Sequence, residues 1–393
     1  MATSALNLGL FGFGCVGQGL YDVLHRTPGL QARITRICVK DRSKQRPVIA
    51  EAFTFDRDDI LNDDDVNVVV ELIDDADAAF DIVSTALRRG KAVVTANKKM
   101  VATRFHELLA LQRETGAPLL YEASCCGSIP IIRNLEEYYD NDLLDGVQGI
   151  VNGTTNFILT RVMASGDARY GEVLAEAQRL GFAESDPTLD VEGYDASFKT
   201  LIIAAHAFGV VLEPGDVIRR GITSVTSFDA ATARARGATI KLVSNNVLVD
   251  NKLTSFVLPR FVPESTTLAK VDDEYNAVLL HGAFSDAQSF IGKGAGGHPT
   301  ASAVLSDIAA LRYNYRYEYK KLEQGRAPQF TTDVPVRVYA RSSDEKLLRT
   351  IPWSEIDVDY RGRSDHYVMG TTTLSALRDS EAFRSDRAFI ALL

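Results

Sequence analysis

Along the first 130 residues, short apolar runs alternate with stretches whose apolar positions recur at helical spacing. The runs Leu6–Phe11, Ile34–Val39, Asn67–Leu72, Ala92–Thr95 and Leu119–Tyr121 predict five strands. A stretch carrying Leu20, Val23 and Leu24, then Ala79–Arg89 and Thr103–Thr115, predict helices, the last two stopping at Gly90 and Gly116 as a left-handed C-terminal cap requires. Strand and helix in alternation, with β-branched strands, predict an α/β domain over residues 1–135: a doubly wound, Rossmann-type parallel sheet.

After Tyr139 the pattern changes. Residues 145–235 read as mostly helical, with helices over Thr155–Ala164, Tyr170–Leu180 and Ala196–Phe208. Strand-like stretches follow at Thr239–Val249, Leu253–Val262, Asn276–His281 and Ser289–Gly292, and a helix from about Ala301 to Leu322 closes the unit. Residues 136–325 are therefore expected to form an α+β domain, a mixed or antiparallel sheet with helices on one face. Glu323-Gln-Gly-Arg-Ala-Pro328 reads as a linker. Residues 329–393 are expected to be a small αβ extension: strands Val334–Ala340 and His366–Thr371 separated by irregular polar sequence, a helix Leu374–Phe383 and a strand Ala388–Leu392.

Composition fits this outline and narrows the partners. The 393 residues, 46% apolar and 24% charged, suit two full domains and a remainder. A net charge of −9 gives no long-range attraction for nucleic acid or anionic lipid, so neither is an expected partner. No apolar run approaches the roughly 20 residues of a membrane span, and the start MATSALNLGLFGFG lacks the basic segment and cleavage site of a signal peptide. A cytoplasmic location is expected. Cys15, Cys38, Cys125 and Cys126 form no zinc-type pair.

Gly12, Gly14 and Gly17 follow a strand and open a helix, the spacing and setting that a dinucleotide pyrophosphate needs. The helix N-terminus supplies unpaired N–H groups for the phosphates, with Cys15 and Val16 inside the turn. The acidic residue expected to hold a ribose hydroxyl is Asp41, but Lys40, Arg42, Lys44 and Arg46 surround it. The carboxylate favours NAD and the cations favour NADP, so both remain open.

Between Gly181 and Lys199 five carboxylates (Glu184, Asp186, Asp190, Glu192 and Asp195) occupy twelve positions ahead of an apolar helix. Asp195 falls near the helix start, where a carboxylate is stabilised, and Lys199 projects from the same face four residues later. On a solvated helix this pair would be a cap and a weak ion pair. Here the apolar residues around Lys199 predict burial, and a buried lysine must be paired. Such a lysine can exchange a proton with an alcohol or carbonyl oxygen, and the carboxylates beside it suit a substrate ammonium group.

These motifs together resemble homoserine dehydrogenases. The resemblance is carried by the glycine turn, Thr95-Ala-Asn-Lys98-Lys, Tyr121-Glu-Ala-Ser, Gly127-Ser-Ile-Pro-Ile-Ile-Arg133, Gly149-Ile-Val-Asn-Gly-Thr-Thr-Asn-Phe-Ile-Leu159, the Glu184–Lys199 segment and Gly294-Ala-Gly-Gly-His-Pro-Thr-Ala-Ser-Ala-Val304. It implies NAD(P)-dependent interconversion of L-homoserine and L-aspartate 4-semialdehyde, on the route to threonine, methionine and isoleucine. It implies that Lys199 exchanges the proton, that Lys98 polarises the reacting oxygen beside the nicotinamide, and that Glu184, Asp190 and Asp195 bind the amino acid. Gly181, Gly294 and Gly296, with Lys40 and Asp41, would lie along the cofactor. Glu122 with the carbonyls of Cys125, Gly127 and Ile129 matches the family's site for a monovalent cation, Na+ or K+.

The chain departs from the family pattern in three places. Asp74 and Asp75 replace small residues after the third strand, Cys125 and Cys126 replace small residues after Glu-Ala-Ser, and Cys15 lies in the glycine turn. The carboxylates could repel the cofactor's phosphates or face solvent; the three thiols are expected to be buried small residues. Competing readings are another two-domain dehydrogenase of amino-acid semialdehydes and a nucleotide-binding sensor without turnover. The presence of both Lys98 and Lys199 weighs against each. The resemblance implies a homodimer or larger assembly, formed through the second domain's sheet; a fused kinase domain is not expected, because only a few residues precede the glycine turn. Residues 329–393 could be a shortened ACT-like module that binds an amino-acid effector, or an extension that only packs; the Pro-Gly-x-Leu turn usual in such modules is absent.

Overall fold

The computed structural model describes residues 5–46, 52–140, 144–166 and 169–393. The chain forms two compact units, residues 1–140 with 293–320, and 141–292 with 321–393.

In the first unit β1 (Leu6–Phe11), β2 (Ala32–Cys38), β3 (Phe53–Thr54), β4 (Val68–Glu71), β5 (Ala92–Thr95) and β6 (Leu119–Leu120) form a sheet in the order β3-β2-β1-β4-β5-β6. Every pairing is parallel. The helices are α1 (Cys15–Arg26), α2 (Asp58–Leu61), α3 (Ala76–Arg88), α4 (Lys98–Thr103), α5 (Phe105–Thr115) and α6 (Ile131–Glu137). Strand order reverses between β1 and β4, and such a switch point opens a ligand crevice beyond the carboxyl ends of the strands. Val68, Val69 and Val70 are all buried, as a strand covered on both faces requires.

The second unit contains β7 (Leu144–Ile150), α7 (Gly153–Ala164), α8 (Tyr170–Leu180), α9 (Thr188–Val191), α10 (Tyr194–Phe208), β8 (Ile218–Arg219), α11 (Ser227–Arg234), β9 (Ala238–Val249), β10 (Lys252–Pro263), β11 (Tyr275–Gly282) and β12 (Asp286–Lys293). The order β12-β11-β7-β9-β10 is mixed through β10, which pairs antiparallel with β9 and parallel with β8. β7 corrects the expectation of helix after residue 145. Its two glycines hide a strand pattern, yet Gly149 is needed there, because a Cβ would lie 2.6 Å from the Ala277 carbonyl oxygen of β11.

The linear domain boundaries also need correction. The helix expected over Ala301–Leu322 is α12 (Gly297–Leu311), which packs on α1 and so belongs to the first unit. A short α13 (Lys320–Glu323) stands apart from it. Residues 329–393 are no separate domain: β13 (Gln329–Phe330) pairs with β10, and β14 (Pro335–Ser342), α14 (Glu345–Leu348), β15 (Glu355–Arg361), β16 (His366–Thr373), α15 (Leu374–Asp379), α16 (Glu381–Arg384) and β17 (Ala388–Leu392) extend the same sheet. Their order β17-β14-β16-β15, with every neighbour antiparallel, is the ferredoxin-like βαββαβ arrangement. The extension thus adds β15 and the single-turn α14 to the elements expected.

Arg220 ties this module to the rest of the unit. Its guanidinium donates to the carbonyls of Phe383, Ser385 and Ala388, while its N–H bonds Val257 of β10. Arg220→Ala would leave those carbonyls without their donor and is expected to lower unfolding stability by about 3 kcal/mol, read from the urea midpoint. An unchanged midpoint would show that the module is held elsewhere.

Candidate functional site

The glycine turn lies at the carboxyl end of β1. Gly12 has φ +93°, and a Cβ there would meet the Leu72 carbonyl oxygen at 2.7 Å. A Cβ on Gly17 would meet the Gly12 oxygen at 2.6 Å, whereas one on Gly14 would meet nothing within 4 Å. The outer glycines therefore serve tight turning and packing, and the middle one leaves α1's N-terminus open to an anion. Cys15 starts α1 on that open side and is exposed, with Val16 beside it half-buried. Burial, expected for three thiols, holds for Cys125 and Cys126 only.

Gly12 and Gly14 border a cavity of about 600 Å3 that Lys40, Asp41, Lys44 and Arg46 also line. Asp41 is turned onto its own loop, where its Oδ1 accepts the Ser43 N–H at 2.8 Å and the Ser43 hydroxyl at 2.7 Å. These bonds hold its carboxyl below the usual carboxylate range. Arg46 closes the same loop by donating to the Asp41 and Lys44 carbonyls. Asp75 caps α3 through the N–H groups of Asp77 and Ala78; those bonds, helped by Lys40 and Lys99, hold it low. Asp74 is exposed. The two departures after β4 are thus a helix cap and a solvated carboxylate.

A second cavity, about 460 Å3, is lined by Cys15 and Gln18 of α1 and by Gly297 and His298 at the start of α12. Gly294 and Gly296 lead into that helix, so their loop ends beside the glycine turn. Its beginning is fixed by Ser128, whose N–H donates to the Lys293 carbonyl at 3.0 Å. Lys98, half-buried, opens α4 at the carboxyl end of β5, with Asn97 as the cap.

Glu122 is fully buried, and its two carboxylate oxygens accept the N–H groups of Ile132 and Arg133 at the start of α6. Burial, reinforced by the neighbouring Asp307 carboxylate, pushes it up to about 8. Asp307 accepts the Glu122 N–H and the Arg133 guanidinium. The Ile129 carbonyl accepts the Ile131 N–H, and Gly127 adopts φ +55°. Among the described residues, no three His, Cys, Asp or Glu side chains come together as a metal site.

In the second unit, α10 is buried from Asp195 to Phe208. The Lys199 Nζ donates to Asp195 Oδ2 and to the Val151 carbonyl, each at 2.7 Å. Lys199 is 6% exposed and Asp195 3%. Asn152, which the sequence reading assigned no role, joins the network: its Nδ2 donates to Asp190 Oδ1 at 2.7 Å and Asp195 Oδ2 at 2.9 Å, while its Oδ1 caps α7 at Thr155. An Asn three residues ahead of Thr155, between a strand and an apolar run, carried the signal for the cap. The structure thus gathers Asp190, Asp195 and Lys199. Glu184 is exposed on the preceding loop, outside this network, and Gly181 ends α8 with φ +81°.

The geometry has close counterparts. A family model described as homoserine dehydrogenase matches residues 130–309, and one described as its NAD binding domain matches 12–122. The homoserine dehydrogenase of Bacillus subtilis (strain 168) is 40% identical over 321 residues, 79% of this chain and 74% of that protein. Among solved structures, a homoserine dehydrogenase from Thiobacillus denitrificans matches with TM-score 0.86 and 30% identity over 99% of this chain and 98% of that one. A hyperthermophilic archaeal homoserine dehydrogenase in complex with NADPH matches with TM-score 0.68 and 25% identity over 79% and 99%.

Exposure of Cys15 at the open turn gives a direct test of this site. A thiol-alkylating reagent is expected to modify Cys15 in the folded protein and to spare buried Cys125 and Cys126, with saturating NADPH slowing the reaction roughly ten-fold. Peptide mass mapping reads the rates; equal Cys15 rates with and without NADPH would contradict the placement of the cofactor.

Proposed function

Because the chain belongs to the homoserine dehydrogenase family, an NAD(P)-dependent oxidoreductase acting on a CH–OH group, we propose that its two groups of site residues divide the reaction between them. The single observation that carries this reading is the buried Lys199–Asp195 pair on α10. The substrates are L-homoserine and L-aspartate 4-semialdehyde, on the route to threonine, methionine and isoleucine.

When bound, the nicotinamide supplies the hydride chemistry. Lys199 takes the hydroxyl proton as homoserine is oxidised and returns it to the developing alkoxide in the reverse direction. Asp195 keeps the ammonium group of Lys199 aimed, and Asn152 keeps Asp195 aimed. Asp190 and Asp195, with Glu184 from the exposed loop ahead of them, would receive the substrate's ammonium group. Lys98 adds positive charge at the reacting oxygen.

The residues present fit a dinucleotide. The turn of Gly12, Gly14 and Gly17, with Cys15 and Val16, would hold the pyrophosphate, and Gly181, Gly294 and Gly296 are the family-implied contacts to the remainder. NADP is preferred over NAD. Asp41 is engaged by Ser43, and Arg46 by the carbonyls of its own loop, which leaves Lys40 and Lys44 as the charges that would meet a 2′-phosphate. The archaeal relative bound to NADPH is consistent with this choice. A monovalent cation would be held by the buried Glu122 with the carbonyls of Cys125, Gly127 and Ile129, and its charge would support this loop. The family reading further implies a homo-oligomer and an amino-acid effector on the βαββαβ module; threonine that changes neither activity nor melting temperature would contradict the effector.

Lys199→Ala is expected to bind NADPH with unchanged affinity and to lose roughly 10²–10⁴-fold in kcat. Initial rates in both directions, with NAD(H) and NADP(H) in parallel, measure this together with the cofactor preference. Near-normal turnover in the variant would contradict the assignment.

A further inference from the structure

Glu71 is a buried carboxylate to which the reaction gives no role. It ends β4, where it pairs with Phe11 of β1 on one side and Thr95 of β5 on the other. Phe11 leads into the glycine turn, and Thr95 leads into the loop that opens α4 with Lys98. One carboxylate oxygen accepts the Ile73 N–H at 2.6 Å, and the other accepts the Thr95 hydroxyl. The Thr95 oxygen accepts the Asn97 N–H at 3.0 Å, and the Asn97 side-chain amide donates to the Ile73 carbonyl at 3.0 Å. These bonds close a ring. From the same ring, Asn97 Oδ1 caps α4 by accepting the Met100 N–H at 2.9 Å, and Ile73 borders the 600 Å3 cavity beside Gly12 and Gly14.

A carboxylate in this place is expensive to bury. Its donors are an amide and a hydroxyl, and the charged side chain that acts on it is Asp74, of like sign. An apolar residue of similar volume would fill the position at lower cost. What the ionised carboxylate adds is direction. It only accepts hydrogen bonds, so the Thr95 hydroxyl must point at it and turn a lone pair to Asn97. Once protonated, Glu71 carries a donor of its own, and the Thr95 hydroxyl is no longer held to one orientation.

We propose that ionised Glu71 is a positioning residue for Lys98, its ring locking the loop that borders the cofactor to the first turn of α4. The proposal rests on the reading that Lys98 acts at the reacting oxygen. Burial pushes Glu71 up to about 7, so the ring changes state near neutral pH. The raised value means that protonation is favoured in the fold: the ordered, ionised ring prevails above about pH 7 and is lost below it.

The test is kcat for reduction of aspartate semialdehyde by NADPH across pH. The wild type is expected to lose turnover below about pH 7. Glu71→Gln places an amide donor in the ring, and is expected to lower kcat roughly 10–100-fold above that pH, to abolish the limb, and to leave the Kd for NADPH within roughly three-fold. Thr95→Val keeps the volume without the hydroxyl and is expected to behave alike even if the glutamine variant fails to fold, while Thr95→Ser is expected to restore turnover. Wild-type kcat with an unchanged acid limb in Glu71→Gln, or in Thr95→Val, would overturn the proposal. Full turnover by Lys98→Ala would overturn instead the role of Lys98 on which it rests.

Discussion

An ammonium group and a carboxylate that leave water together each lose several kcal/mol of hydration, and their attraction offsets this only at close range with the remaining hydrogen-bonding positions filled. Asp195 and Lys199 meet that condition at 2.7 Å inside a buried helix. Much of the second unit is arranged around them. The Val151 carbonyl at the end of β7 takes another ammonium proton, and Asn152, next in the chain, ties Asp195 to Asp190 while starting α7. A strand, two helices and the acidic loop thus converge on a single charged pair, which explains why apolar sequence surrounds a lysine.

The first unit solves the complementary problem, presenting positive ends and backbone donors to an anionic ligand without closing over them. The turn after β1 and the loop before α12 bring two helix N-termini to neighbouring cavities. In the loop beyond β2, Asp41 bonds Ser43 and shares the cavity wall with Lys40, Lys44 and Arg46. Beside these surfaces the Glu71 ring joins β4, β5 and α4, so the loop after β4 and the helix that carries Lys98 share one support.

The parts of this arrangement that depend on neighbouring residues were legible in the sequence. The glycine turn, the strand and helix alternation before residue 130, and the Asp195–Lys199 spacing all depend on contacts within a few positions. What the sequence concealed depends on distant partners. β7 reads poorly because Gly146 and Gly149 interrupt its apolar pattern, and the need for glycine at 149 arises from β11, more than a hundred residues later. β15 alternates Ile356 and Val358 with Glu355, Asp357 and Asp359, but its mostly exposed edge position made it look like a polar loop. α12 belongs to the first unit despite its place in the sequence because its packing on α1 crosses some 280 positions. Asn152 and Glu71 escaped notice for the same reason: a polar residue after or at the end of a strand has no meaning until its partners are known.

The central claim, that the buried Asp195–Lys199 pair acts as one unit, is tested most directly by a double-mutant cycle on unfolding free energy with Asp195→Asn, Lys199→Met and the combined variant. The pair is predicted to couple by about 2–3 kcal/mol, because each single change strands a buried charge that the double change removes. Strict additivity of the two single effects would contradict it.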